Sequence, residues 1–452
     1  MTECSPIDFN GAAIASTRRG VCPALDAPMQ TGDGLLVRLR PLDSRLTPAA
    51  FVTIAETAAR HGNGLMEVTA RGNLQVRGLT PASAPLFSAE ILAMDMPLAT
   101  GLAIETPPLA GLDPEEIIDA RPLADVLRAR VVLEEPALSL AAKLSITVDG
   151  GGRFSLKNVS ADIRLTALPD NTWQIALAGD DHTAKPVARL PADAAVDAVM
   201  ALLRALSAMG RRARGRDLDA GEWRSRFGFE ENGQGGREHS VPSPAGLHLW
   251  DGFSALGLAL PFCQIEAAAL IAFIRETEAL GCHEIRLAPD HGFFLIGIAP
   301  AQLAAARDAA AARGFVVDPQ EPANHIALCA GARGCASAFF DTHALARTLI
   351  AAAPALLDGS LTLHVSGCPK GCAHPAPTPL TLTAAPTGYA LVVNGSASGS
   401  PEAYIAAKDV THAIARLAAL VGTARRAGET AAGCLQRLGR DAIREAVRQD
   451  RE

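Results

Sequence analysis

Aromatic residues and positive charge are both scarce in this sequence. Only 4% of its 452 residues are aromatic, and the chain contains just two tyrosines. Proteins that bind single-stranded nucleic acid by base stacking need Phe, Tyr or Trp, so this composition argues against that class. The formal net charge of −7 provides no overall positive field for DNA, RNA or an acidic membrane surface. An anionic ligand would therefore have to be held by a few local arginines or lysines.

Long apolar segments are missing as well. No run of 18 apolar residues occurs, and the opening "MTECSPIDFNGAAIASTRRGVCP" lacks the apolar core of a signal peptide. The nine cysteines are an odd number, which fits poorly with the disulfide framework of a secreted protein. We therefore expect a cytoplasmic protein without a membrane partner, in which clustered cysteines bind metal.

A β-α-β-β pattern of predicted elements occurs twice in the chain, whose length suffices for about three domains. In the first copy the strand, helix, strand and strand are predicted at 34–40, 47–62, 65–70 and 73–79. In the second copy the same elements are predicted at 255–261, 265–281, 283–289 and 292–298. This self-similarity predicts two half-modules that pack into one pseudo-symmetric domain.

The remaining chain divides into three further parts. Between the copies, we predict a β-hairpin in "KLSITVDGGGRFSL" (143–156), a helix near 192–209 and a loop or linker over 211–240. A cysteine-bearing region and a helical tail follow the second copy. The expected boundaries are 28–90 and 241–320 for the half-repeats, 91–240 for the middle domain, 321–400 for the cysteine domain and 401–452 for the tail.

Four cysteines lie in two pairs, Cys329 with Cys335 and Cys368 with Cys372, separated internally by five and by three residues. Covalent haem attachment needs C-x-x-C-H, and His374 is one position too far from Cys372 for that pattern. Structural zinc favours pairs with two to four intervening residues, which the first pair exceeds. The spacing favours a [4Fe–4S] cluster, with zinc or no ligand as the alternatives.

Two predicted strands of the first copy carry a polar face. Alternation places Asn73, Gln75 and Arg77 on one face, and it places Arg38 and Arg40 together on the neighbouring strand. This face is either solvent-exposed surface or a binding surface for carboxylates, which guanidinium groups bind in a bidentate manner. In the second copy the strands 255–261 and 292–298 are apolar on both faces, which predicts a single binding site in the first copy.

The cysteine pattern C-x₅-C, 32 residues, G-C-x-x-G-C, together with "TARGNLQVRG" (69–78), resembles the nitrite and sulfite reductase family. The resemblance spans about 28–395. It implies an α/β (α+β) fold with two ferredoxin-like half-repeats and two further α/β domains, the last carrying a [4Fe–4S] cluster. It also implies that all four cysteines bind this cluster, that Cys372 bridges to a sirohaem iron, and that Arg71 contacts carboxylates of substrate and macrocycle.

The basic residues depart from the reductase pattern. Those reductases surround their oxyanion with four basic residues, of which Arg71 and Lys143 match two. Ser145 stands where the second lysine is expected, and the segment 101–108 contains Glu105 but no basic residue. Loss of two positive charges would remove much of the electrostatic catalysis of sulfite or nitrite reduction.

This pattern, with "CPALDAPMQTGDGLLVRLRP" (22–41), is similar to the branch of the family that acts on precorrin-3A in aerobic cobalamin biosynthesis. The resemblance implies an O₂-dependent monooxygenase that places a hydroxyl at C20 and closes a γ-lactone. The tetrapyrrole is then the substrate. The implied cofactors are the [4Fe–4S] cluster and a mononuclear non-haem iron, with electrons from an external reductase or NAD(P)H-linked donor. The alternatives are a sirohaem-dependent sulfite or nitrite reductase and a non-catalytic module stabilised by zinc. Sirohaem is expected only if the protein is such a reductase.

The resemblance assigns catalytic roles to Arg71 and Lys143. The expected substrate-binding residues are these two with Arg38, Asn73, Gln75 and Arg77. Ligands of a non-haem iron cannot be assigned, because the 11 histidines show no H-x-D/E pairing. We interpret the remaining histidines and cysteines near these motifs as structural: His291, His364, His374, Cys4, Cys22, Cys263, Cys282 and Cys434.

Overall fold

The computed structural model describes residues 23–230, 241–374 and 376–448. These residues form four five-stranded sheets and eleven α-helices, which confirms the predicted mixed α/β fold. No helix within them is both long and apolar enough to cross a membrane. Cys4 and Cys22, which we interpreted as structural, lie outside the described residues.

The first half-repeat follows the predicted β-α-β-β order. Its elements are β1 Met29–Thr31, β2 Gly34–Leu39, β3 Arg45–Leu46, α1 Pro48–His61, β4 Leu65–Val68, β5 Leu74–Leu79 and α2 Ser83–Leu92. Helix α1 begins as expected because Thr47 caps it, its hydroxyl accepting a hydrogen bond from the Ala50 N–H at 3.1 Å. The helix ends before Gly62, and its apolar residues pack onto the sheet.

The middle unit contains one mixed sheet in the order β10-β9-β8-β7-β6. Strands β6, β7 and β8 are parallel, whereas β8, β9 and β10 are antiparallel. The elements are β6 Ala103–Glu105, α3 Ala120–Val132, β7 Ser145–Asp149, β8 Ala161–Ala167, β9 Trp173–Gly179, β10 Lys185–Leu190, α4 Ala192–Met209 and α5 Ala220–Phe227.

The predicted hairpin over 143–156 is wrong. Strand β7 pairs in parallel with β8, and the chain between them is a loop. The loop conformation is caused by the buried Asp149, whose carboxylate accepts hydrogen bonds from the N–H groups of Gly151 and Leu156. Burial raises the pKa of Asp149 to about 6, an effect that these two donors and Arg164 only partly offset. These contacts fold the chain back on itself, so no second hairpin strand forms.

The predicted loop over 211–240 is wrong in part. Helix α5 lies within it, capped by the side chain of Asp219 and anchored by the buried Trp223. Arg214 forms two hydrogen bonds of 2.9 Å with the buried Asp162 of β8. The first half of this arginine-rich segment is therefore docked on the middle sheet, while 231–240 lies outside the described residues.

The second half-repeat exchanges one short strand with the first. Its elements are β11 Gly246–Trp250, β12 Phe253–Ala259, β13 Gln264–Glu266, α6 Ala267–Ala279, β14 Glu284–Ala288, β15 Gly292–Ile296 and α7 Leu303–Ala312. Strand β13 pairs with β4, and β3 pairs with β14, so the sheets run β1-β2-β5-β4-β13 and β11-β12-β15-β14-β3. One shared hydrophobic core joins the two copies into a pseudo-symmetric domain.

The last unit has a sheet in the order β16-β17-β18-β19-β20. Its elements are β16 Ile326–Leu328, α8 Gly331–Gly334, α9 Thr342–Ala352, β17 Leu363–Ser366, β18 Thr378–Ala385, β19 Gly388–Gly395, β20 Ala403–Ala406, α10 Val410–Ala424 and α11 Ala431–Val447. Helices α9, α10 and α11 cover one face of the sheet and enclose a separate core. Within the predicted helical tail 401–452, the described residues form strand β20 and helices α10 and α11.

The outer faces of the two half-repeat sheets meet different neighbours. The first sheet faces the cysteine loops, where Arg77 reaches the Gly334 carbonyl. The second sheet packs against the middle unit through Phe294 and Phe154. Strand β14 also carries Arg286, which is 2% exposed and paired with Glu284. The expectation that only the first copy carries an arginine-bearing face, drawn from strands 255–261 and 292–298, therefore does not hold for this strand.

Candidate active site

The two cysteine pairs meet at one edge of the last sheet. Strands β16 and β17 are adjacent and parallel, with Leu328 opposite Val365. Cys329 directly follows β16 and Cys368 follows β17, so both leave the sheet at the edge where parallel strands end. The Gly367 N–H donates a hydrogen bond to the Cys329 Sγ at 3.2 Å. The topology thus brings together residues that are almost forty positions apart in the sequence.

All four of these cysteines are free thiols that influence one another. Burial raises the pKa of Cys368, and the neighbouring thiols of Cys335 and Cys329 add to the rise. The pKa of Cys372 is raised by loss of hydration and by the other three thiols. Within the described ranges, however, no three His, Cys, Asp or Glu side chains are close enough together to hold one metal ion. The thiols therefore share one region without enclosing a single ion.

The first cysteine loop is held by the tip of the β1–β2 hairpin. Gly32 lies so close to this loop that a Cβ atom on it would be 2.1 Å from the Ala336 nitrogen. Arg77 donates from Nη2 to the Gly334 carbonyl at 2.6 Å, one residue before Cys335. The loop position therefore depends on the first half-repeat as well as on its own sheet.

The predicted polar face of the first copy is a connected hydrogen-bond network. Arg38 donates from Nε and Nη2 to the Gln75 side-chain carbonyl at 3.1 and 2.7 Å, and Gln75 donates to Glu67 at 2.6 Å. Arg77 binds both carboxylate oxygens of Asp33 at 3.0 Å and also contacts Glu67 at 3.3 Å. Gln75 and Arg77 share a face as predicted, and Arg38 lies opposite Gln75 on the neighbouring strand. Asn73 and Arg40 line the cleft around Arg71 instead. Contact of these residues with substrate stays a prediction.

Sequence reasoning missed both carboxylates of this network. Glu67 could have been found, because it is the one charged residue in the otherwise apolar strand "LMEV". Asp33 lies in a hairpin turn, where an aspartate usually signals only the turn itself. Its pairing with Arg77 joins residues 44 positions apart and leaves no local pattern.

Arg71 lies in a rigid turn between β4 and β5. The Thr69 hydroxyl accepts hydrogen bonds from the N–H groups of Arg71 and Asn73, at 3.3 and 3.0 Å. Gly72 has a φ of +73° and packs directly on the Ala288 backbone, which leaves no room for a side chain. The matching turn of the second copy contributes His291, whose Nδ1 pairs with the Val68 carbonyl at 2.6 Å. The two turns thus support each other.

The Arg71 side chain crosses to the middle unit. Its Nε donates to one carboxylate oxygen of Glu105 at 3.0 Å, its Nη2 bonds to the other, and its Nη1 donates to the Ser160 carbonyl at 2.7 Å. Arg71 and Asn73 line a cleft together with Glu105, Arg40 and Arg128. The structure therefore brings two predicted site residues together between the first half-repeat and the middle unit.

Lys143 lies at a nearby edge of the middle sheet. It is exposed and precedes β7 by two residues. Strands β6, β7 and β8 are in parallel register, with Ala103 opposite Ser145 and Ile146 opposite Ile163. Lys143 is therefore level with Gly101 and Ser160, the backbone groups to which Arg40 and Arg71 donate. Arg40, which shares a strand face with Arg38 in the prediction, reaches this edge as well.

His364 lies under the second cysteine loop. It is fully buried on β17, and neither ring nitrogen has a hydrogen-bond partner among the residues described. Its ring centroid is 5.9 Å from that of His374. Burial, with a smaller contribution from His374, lowers the pKa of His364 to about 4. The ring is therefore neutral at physiological pH.

Residues 27–94 match the family described as the nitrite/sulfite reductase ferredoxin-like half domain. Over its full length the chain is 47% identical to the precorrin-3B synthase of Sinorhizobium sp., in an alignment of 454 residues that covers 99% of each protein. The chain belongs to the precorrin-3B synthase family. It is also 24% identical over 380 residues to the ferredoxin–nitrite reductase of Synechococcus elongatus, covering 75% of this chain and 74% of that protein.

A solved structure shows the same fold. The Mycobacterium tuberculosis NirA protein superimposes with a TM-score of 0.69 at 16% identity, over 90% of this chain and 84% of that chain. Together with the half-domain match, this likeness confirms the predicted nitrite/sulfite reductase-like fold of this chain. The distant reductase relatives do not favour the reductase alternative over the synthase prediction.

Proposed function

We propose that this enzyme is an O₂-dependent monooxygenase that converts precorrin-3A to precorrin-3B in aerobic cobalamin biosynthesis. The observation that carries the proposal is the identity of 47% over the whole chain with a precorrin-3B synthase. One atom of O₂ enters the product as the C20 hydroxyl, and the ring-A acetate closes the γ-lactone at C1. The second oxygen atom leaves as water, with two electrons from an external donor. We place this reaction in the cytoplasm, where thiols remain reduced.

Cys329, Cys335, Cys368 and Cys372 would hold a [4Fe–4S] cluster. A cubane keeps its thiolates farther apart than a single tetrahedral ion does, which suits four neighbouring thiols that do not enclose one ion. The N–H of Gly367 that points to the Cys329 Sγ is the kind of donor that stabilises a thiolate ligand. When bound, the cluster would transfer electrons singly towards the centre where O₂ reacts.

The described residues do not supply the ligands of a mononuclear non-haem iron. A facial triad needs two histidines and a carboxylate around one position, and no group of three such side chains occurs in the described ranges.

The substrate would bind in the cleft of Arg71 and Asn73. Precorrin-3A carries acetate and propionate groups around its ring, and guanidinium and ammonium groups bind such carboxylates. We propose that Arg71, Asn73 and Lys143 hold these groups and that Arg38 binds another at the outer face of the first sheet. A nearby cation also keeps the ring-A acetate ionised, as closure of the lactone requires. Gln75 and Arg77 are buried, which favours a role in supporting Arg38 and the cysteine loop.

The test is turnover of precorrin-3A by anaerobically purified enzyme that is then supplied with O₂ and a reductant. Arg71→Ala should abolish formation of precorrin-3B and leave the cluster absorption intact, because the described side-chain contacts of Arg71 are with Glu105 and Ser160 of the middle unit. Arg60→Ala is the matched control, since Arg60 pairs with Glu90 on the surface. A strong sirohaem band in the purified protein, with reduction of sulfite or nitrite, would support the reductase alternative. Loss of the cluster in Arg71→Ala would contradict the assigned position of Arg71.

A further inference from the structure

We propose that Glu105 determines which anions the cleft admits, because its carboxylate is an internal ligand of Arg71. In this role it excludes small inorganic oxyanions and gives way only to a ligand with several carboxylates. The inference rests on the proposed function, since it concerns the same cleft. It adds a specificity-determining residue that does not itself react with the substrate.

The ion pair has the geometry of a bound carboxylate ligand. Both oxygens of Glu105 are engaged, one by Nε of Arg71 at 3.0 Å and the other by Nη2. This bidentate arrangement is the one that guanidinium forms with carboxylates in general. An external anion that approaches these two donors therefore has to displace a ligand of matching shape and charge.

Both partners are held in place by backbone structure. Glu105 is the last residue of β6, and its backbone is paired with Thr147 of β7. Arg71 is held by the Thr69 hydroxyl and the packed Gly72, and its Nη1 is bound to the Ser160 carbonyl. The ion pair is thus pre-formed, and the internal carboxylate competes at a high effective concentration.

The pair nevertheless remains open to exchange with a ligand. The Arg71 side chain is 34% exposed and the Glu105 side chain 19%, so one side of the pair faces the solvent in the cleft. A sulfite or nitrite ion offers one small charged group, which gains little by replacing Glu105. A tetrapyrrole polycarboxylate can offset the displacement through further contacts, for example with Lys143 at the adjacent sheet edge.

The experiment compares two anions with wild-type enzyme and Glu105→Gln, a change that keeps the shape and removes the charge. Sulfite and uroporphyrin III, a stable tetrapyrrole with acetates and propionates, are titrated by calorimetry under anaerobic conditions. We expect sulfite to bind Glu105→Gln at least about tenfold more tightly, because one negative charge near the anion is removed. The affinity for uroporphyrin III should rise by a similar factor, since it too displaces Glu105 from Arg71, but wild-type enzyme should already bind it measurably through its other carboxylates.

Two further variants locate the effect. Glu115→Gln makes the same charge change in the same unit, at an exposed residue that pairs with Arg153, and it should leave the affinity for sulfite unchanged. The double variant Arg71→Met/Glu105→Gln should lose the gained affinity, because the gain acts through Arg71. The inference is overturned if Glu105→Gln binds sulfite no better than wild type, if Glu115→Gln gains equally, or if the gain persists without Arg71.

These outcomes are distinct from failure of the proposed function. If wild-type enzyme does not convert precorrin-3A, the synthase proposal fails, whereas the sulfite titrations still report whether Glu105 controls access to Arg71. If turnover is observed and the sulfite affinities do not differ, only the role of Glu105 is overturned.

Discussion

Replacing Arg77 with methionine tests whether the first half-repeat holds the first cysteine loop. The Arg77 side chain is only 7% exposed. It forms two hydrogen bonds of 3.0 Å with Asp33, one of 3.3 Å with Glu67 and one of 2.6 Å with the Gly334 carbonyl. Methionine fills similar space but removes the charge and every donor, so the packing changes less than the electrostatics.

The expected loss of stability follows from the carboxylates that stay buried once Arg77 is removed. Removal of one partner of a buried ion pair destabilises a protein by about 3–5 kcal/mol, because the other charge is left without compensation. Glu67 keeps hydrogen bonds from Gln75 and Gln264, each at 2.6 Å, so most of the cost falls on Asp33. We therefore expect a local loss of stability at the lower end of this range, about 3 kcal/mol. This corresponds to a roughly hundredfold increase in the equilibrium constant for local opening.

Hydrogen exchange measured by mass spectrometry resolves this local effect. Peptides that cover the β1–β2 hairpin (29–39) and the first cysteine loop (329–340) should exchange about a hundredfold faster in Arg77→Met. Peptides of helix α10 should be unchanged, because this helix packs mainly against α9 and α11. Asp33→Asn/Arg77→Met should recover part of the protection, since the stranded carboxylate is removed. Unchanged exchange in both peptides of the single variant would mean that Arg77 does not hold the first cysteine loop.

Three other residues give separate tests. The folded-state pKa of Asp149, about 6, exceeds its unfolded value of 3.8. The free energy of unfolding should therefore fall by about 3 kcal/mol as pH rises from about 4 to about 6, and Asp149→Asn should flatten that fall in urea titrations. His364→Phe should leave the unfolding free energy of the metal-free protein unchanged or raise it by about 1–2 kcal/mol, because neither ring nitrogen has a hydrogen-bond partner among the described residues. A loss of stability in the same urea titration would reveal such a partner. Cys335→Ser should lower bound iron and sulfide while circular dichroism stays constant, and a full complement of iron would contradict the assigned ligand set.

Local patterns were enough to predict the half-repeats. In the first copy, Thr47 and Gly62 mark the ends of α1, and the alternation in 73–79 identifies the polar face. The same reasoning failed for "KLSITVDGGGRFSL", where a Gly-rich segment after a strand suggests a hairpin. The side chain of Asp149 folds that segment instead, and the parallel partner β8 lies farther along the chain. Parallel pairing leaves no turn signal next to the strand.

In the site, too, local sequence patterns could be predicted and contacts between distant parts of the chain could not. The cysteine spacing predicted that two loops meet, and adjacent strands β16 and β17 bring them to one edge. The ion pair of Arg71 with Glu105 could not be predicted, because the residues belong to different units and are 34 positions apart. Neither could the exchange of β3 and β13, since strands of two and three residues carry too little pattern. Long-range contacts between units therefore account for most of what the sequence did not reveal.

Turnover of precorrin-3A under ¹⁸O₂, with analysis of the product by mass spectrometry and NMR, shows whether the enzyme is a monooxygenase. We expect precorrin-3B with one labelled atom, in the C20 hydroxyl, and an unlabelled lactone oxygen derived from the substrate acetate. Product whose hydroxyl oxygen comes from water, or the absence of any oxygenated product despite a loaded cluster, would contradict the monooxygenase.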